Sequence, residues 1–164
     1  MEQNVLEYVN NFSSNLYIIQ KPEYLKETKK VYEKFIAKQT QYKSSLTEWA
    51  VIQSENMMIP ELNDVMSFVA QTAWNILDSQ GYAMDLYNTQ LTEFWGQRID
   101  HGGYHFEHVH SNYSQITGFY FLDVPEDSSK VILYDPRPGK RQLTLREKDS
   151  SKLTYACDMI NYTP

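Results

Sequence analysis

The chain has 164 residues, enough for one domain with a real core, and its 41% hydrophobic and 22% charged residues are ordinary for a globular protein. A formal charge of −6 argues against a nucleic-acid or anionic-membrane surface as the main role. The single cysteine, Cys157, excludes an internal disulfide framework and fits a reducing compartment. The first residues lack the basic and apolar regions of a signal peptide, and no apolar run reaches the roughly 18 residues of a membrane span, so the expected location is the cytoplasm.

In chain order, Leu16-Tyr17-Ile18-Ile19 is a short apolar run suited to an edge strand. From Pro22 to about Gln39, Leu25, Tyr32, Phe35 and Ile36 share one stripe, which predicts an amphipathic helix with Pro22 in its first turn. Lys43 to Met58 is polar and irregular and reads as a loop anchored by Trp49. A second helix opens at Pro60 and Glu61 and closes at Gly81, with Leu62, Val65, Met66, Val69, Ala73, Ile76 and Leu77 at three- and four-residue steps.

Beyond residue 90 the pattern turns to strands. Leu91 to Ile99 reads as one, with Gly96 as a bulge or a point of close approach. Thr117 to Val124, Val131 to Tyr134, Gln142 to Leu145 and Leu153 to Cys157 follow, separated by turn signals such as Asp135-Pro136-Arg137-Pro138-Gly139. Helices followed by a run of short strands predict one α+β domain over residues 1–164, a helical support region over 1–90 and a sheet over 91–164. Arg137, Lys140 and Arg141 read as a solvated basic turn.

All four histidines lie between His101 and His110. In a strand, His108 and His110 would point to the same face, where both imidazoles could meet one metal ion. His105 and Glu107 would face the other way and rank below His110 as ligands, an order that a bulge would overturn. There is no Gly-rich phosphate loop, no Gly-x-Ser-x-Gly elbow and no Cys-x-x-Cys pair, so no competing chemistry stands out.

The stretches Trp95-Gly96-Gln97-Arg98-Ile99, Gly102-Gly103-Tyr104-His105, His108-Val109-His110 and Thr117-Gly118-Phe119-Tyr120-Phe121-Leu122 resemble phage and bacterial 2-oxoglutarate- and Fe(II)-dependent oxygenases. The resemblance runs from about Glu93 to Arg137. It implies a double-stranded β-helix (jelly-roll) core with the helices packed on its outer face, Fe(II) as metal and 2-oxoglutarate as co-substrate. It also implies metal ligation by His108 and His110, and contacts from Tyr104 and Tyr120 to the distal carboxylate of 2-oxoglutarate. The substrate would be a protein side chain or a small metabolite, in the cytoplasm of a bacterial or phage-infected cell.

Two features depart from that family. His110 stands where a carboxylate ligand is usual, so either both histidines bind the metal or His108 binds alone. The family's distal histidine and 2-oxoglutarate-binding arginine have no counterpart before Pro164, and the five or six strands fall short of the eight or so of a closed jelly roll. The expectation is therefore an incomplete jelly roll: a C-terminal truncation, a fragment, or a subunit of an oligomer whose partner completes the core. Alternatives are a non-catalytic jelly-roll accessory protein and a cupin-like metalloprotein that uses no 2-oxoglutarate.

Overall fold

A computed structural model describes residues 14–39, 48–110, 113–128, 130–139 and 148–149, together with the backbone of 159–162. The chain divides into two compact units, Lys21–Leu122 and Met1–Gln20 with Asp123–Pro164. The described elements are two α-helices, short 3-10 turns and small antiparallel sheets, so the class is α+β.

In the Lys21–Leu122 unit, a 3-10 turn at Pro22–Tyr24 leads into α1, Leu25–Ile36. A second such turn, Pro60–Leu62, leads into α2, Asn63–Ser79. Both start on a proline, whose fixed φ suits a first turn and whose missing N–H is no loss there. Gly81 ends α2 at φ 93°; its N–H donates to Asp78 O and that of Tyr82 to Leu77 O, the paired bonds of a Schellman motif. The helices meet each other rather than a sheet: Val31, which the predicted α1 stripe omits, is buried with Met57, Leu62 and Val65, flanked by Tyr24, Tyr32, Phe35, Ile59, Met66 and Phe94. Behind α2, Trp74 Nε1 donates to Met84 O and Thr89 Oγ1 to Ala70 O, tying down the chain that leaves the helix.

β1, Glu48–Gln53, pairs antiparallel with β2, Gln97–His105. This corrects the loop reading of Lys43 to Met58 and the strand reading from Leu91, since pairing starts only at Gln97. Gln53, Ile52 and Val51 face Gln97, Arg98 and Ile99, and then the register shifts: Trp49 faces Tyr104 and Glu48 faces His105. Ala50 alone therefore spans Asp100 to Gly103, and both Ala50 (φ 52°) and Gly102 (φ 74°) take left-handed backbone to absorb the extra residues. A Cβ on Gly103 would lie 2.8 Å from Asp100 O and 2.9 Å from Trp49 O, so this bulge requires glycine. Gly96, singled out for close approach, lies against the Tyr32 ring, and its N–H donates to Ser54 Oγ at 2.9 Å.

The other unit contains β3, Val131–Tyr134, where expected, paired antiparallel with β4, Met159–Tyr162. Leu16 to Ile19 is not an edge strand: it makes no ladder among the described residues and its four side chains are exposed. The predicted strands at Gln142 to Leu145 and Leu153 to Cys157 lie outside the described residues. Thr117 to Val124 is not a strand, because β propensity is realised only beside a neighbouring strand and none pairs with it among the described residues. The described residues form two two-stranded sheets and no double-stranded β-helix, and α2 contributes to the core with α1 rather than covering a jelly-roll face.

Candidate metal centre

The bulge delivers the end of β2 as Tyr104 and His105 on opposite faces of the sheet. Tyr104 stacks on Phe106, with ring centres 5.0 Å apart. His105, on the other face, is held across the strands: its Nε2 lies 3.3 Å from Glu48 Oε1 and its Nδ1 3.5 Å from the Gln97 side-chain nitrogen. An amide N–H can only donate and a carboxylate can only accept, so the neutral ring with its proton on Nε2 satisfies both partners.

Pairing among the described residues ends at Glu48 and His105, and Phe106 to His110 is irregular chain rather than the strand that the His-x-His argument assumed. The two imidazoles are nevertheless brought together. The rings of His105 and His108 stack at 4.4 Å and 22°, and those of His108 and His110 lie 5.0 Å apart, tilted by 57°. His108 Nδ1 is 2.9 Å from the carbonyl oxygen of Phe106. A carbonyl only accepts, so Nδ1 carries the proton and the lone pair of the exposed His108 sits on Nε2.

That arrangement suits a metal ion at two points. Ligating histidines commonly donate their second ring N–H to a backbone carbonyl, which fixes the ring and raises the basicity of the ligating nitrogen. An ion about 2.1 Å from an imidazole nitrogen stands about 3.2 Å from the ring centre, so two such rings have centres about 4.6–5.3 Å apart. The 5.0 Å separation of His108 and His110 falls in that range. Among the described residues, no group of three or more His, Cys, Asp or Glu side chains is gathered to hold an ion. Glu107 and His110 are exposed, and His101 lies exposed within the bulge.

The two tyrosines differ. Tyr104 is 41% exposed on the outer sheet face. The Tyr120 hydroxyl donates to the carbonyl of Lys21, just ahead of α1, and burial raises its pKa. A carboxylate needs a donor, so Tyr120 could serve 2-oxoglutarate only by giving up that bond. Glu48 and Gln97 are the site residues that sequence reasoning missed; the cross-strand partner of Glu48 lies far along the chain and no periodicity marks it. In the other unit, Arg137 folds back on Asp135 through its backbone N–H, Nε and Nη2, so the predicted turn is present and its arginine is paired. No described helix is long and apolar enough to cross a membrane. Compared with known proteins, the chain matches no family model, no curated protein and no solved structure.

Proposed function

We propose that this chain carries part of the iron site of a non-haem Fe(II)- and 2-oxoglutarate-dependent oxygenase, with His108 and His110 as ligands. The observation that carries the reading is the 2.9 Å contact between His108 Nδ1 and Phe106 O: with Nδ1–H donating there, Nε2 keeps its lone pair, and the His110 ring lies 5.0 Å away. The motif series from Trp95 to Leu122 supports the same chemistry by resemblance. When bound, Fe(II) would supply oxygen activation, coupled to oxidative decarboxylation of 2-oxoglutarate to succinate and hydroxylation of a substrate C–H bond. The chain's own residues would fix two imidazoles on one side of the ion.

A metalloprotein that binds no 2-oxoglutarate is the second reading, favoured by the commitment of the Tyr120 hydroxyl to Lys21 O. Purified chain incubated with Fe(II), oxygen and 2-oxoglutarate separates the two. Succinate above a metal-free control supports the oxygenase. Metal binding without succinate supports the second reading.

A further inference from the structure

We infer that His105 is a positioning residue for the His108–His110 pair, acting as a strut between β1 and the ligand imidazoles; the inference rests on the metal reading above. Four observations carry it. The His105 ring is only partly exposed, with 25% of its side-chain surface accessible, whereas His108 and His110 are exposed. Both of its nitrogens are engaged, Nε2 with Glu48 on β1 and Nδ1 with Gln97 at the opposite end of β2, so the plane of the ring is set by the sheet. That fixed plane lies 4.4 Å from the His108 ring and 22° off parallel to it. Finally, Phe106 to His110 has no ladder among the described residues to orient His108 by itself.

The Phe106 carbonyl alone fixes one nitrogen of His108 but leaves the ring free to swing about that bond. A second flat ring packed on its face removes that freedom. Stacking therefore acts before any metal arrives: His105 narrows His108 to the orientation in which Nδ1–H meets Phe106 O and Nε2 remains for the ion. Ligand positioning of this kind changes metal affinity by roughly 10- to 100-fold in other sites. Glu48 belongs to the same device at one remove, because loss of its carboxylate releases one end of the strut.

Two readouts test it on the full chain. In metal-free protein at pH 8, nitrogen NMR should find His108 predominantly as the Nδ1–H tautomer in the wild type. In His105→Ala it should revert toward the ordinary mixture, in which Nε2–H dominates. With Co(II) alone as probe, His105→Ala should bind about tenfold more weakly and Glu48→Gln several-fold more weakly, while His105→Phe, which keeps a flat ring but loses both anchoring bonds, should fall between Glu48→Gln and His105→Ala. Circular dichroism and thermal unfolding of each variant identify any that fails to fold, and His105→Phe then carries the comparison. An unchanged His108 tautomer in His105→Ala overturns the inference, and so does Co(II) affinity within twofold of wild type in both His105→Ala and Glu48→Gln. Absence of Co(II) binding by the wild type would instead strike the metal reading, leaving the tautomer measurement to judge the strut.

Discussion

Around Leu62 the chain is held by apolar burial, and around His108 by hydrogen bonds and ring stacking between exposed groups. Val31, Met57 and Leu62 are each 1% exposed, in contact across α1, the segment that follows β1 and the Pro60–Leu62 turn that leads into α2. Val109, in the middle of the histidine run, is 87% exposed. The first region derives its order from many weak contacts that survive small rearrangements; the second depends on a few directional ones, each of which matters singly. A ligand can reach the second region without displacing a core. The contrast suits a support and a site, and it yields predictions graded by how much burial each residue commands.

The largest effect belongs to the core. Leu62→Ala should lower stability by about 3 kcal/mol, because it leaves a cavity between two helices, and urea unfolding would show the loss. A loss under about 1 kcal/mol would mean that the core repacks freely and the contrast is weaker than drawn. Next comes the hinge between the regions. Gly103→Ala places a methyl group against two carbonyl oxygens in the bulge and should lower stability by about 1–3 kcal/mol. It should also shift Tyr104 and His105 relative to β1, so heteronuclear NMR should find its largest changes at the end of β2 and in the histidine run rather than in α2.

Tyr120→Phe is smaller, about 1 kcal/mol, for the lost bond to the Lys21 carbonyl. Unfolding at neutral pH measures it, and unchanged 2-oxoglutarate affinity in the same variant would remove Tyr120 from the co-substrate site. Alkaline pH offers a related test. Burial raises the pKa of Tyr32 and of Tyr120, with Arg98 partly opposing the rise at Tyr32. A raised folded value means that their contribution is complete below the ordinary tyrosine value of about 10 and is lost as pH climbs through the folded values above it. The unfolding midpoint should therefore fall above about pH 10, less steeply in Tyr120→Phe than in wild type.

What could be read directly from the residues was whatever had a regular period or a stereochemical marker. The α2 helix between Pro60 and Gly81 is realised with its closing motif intact, though of its predicted stripe only Leu62 and Val65 are buried and Val69 is exposed, and Gly96 is a close-approach point. β1 was hidden because Ala50 breaks its alternation: Val51 and Ile52 are both buried in succession while Trp49 is 52% exposed, which fits no period-two template. The three-residue bulge in β2 was equally invisible, since glycine pairs signal turns as readily as bulges. Strand periodicity does not explain the closeness of His108 and His110, because Phe106 to His110 forms no strand. Their proximity comes instead from irregular chain after the last ladder pair, with His105 stacked beneath. The strand reading of Thr117 to Val124 rested on β-branched and aromatic residues alone; Phe119 is 67% exposed there, and composition does not supply a partner strand.

Whether His108 and His110 share a metal ion is decided by Co(II) titration of wild type, His108→Ala and His110→Ala, followed by the visible absorption of the bound ion. Wild type should bind saturably at one equivalent, and each variant should lose about tenfold or more in affinity. Equal binding by all three proteins would contradict a shared ion.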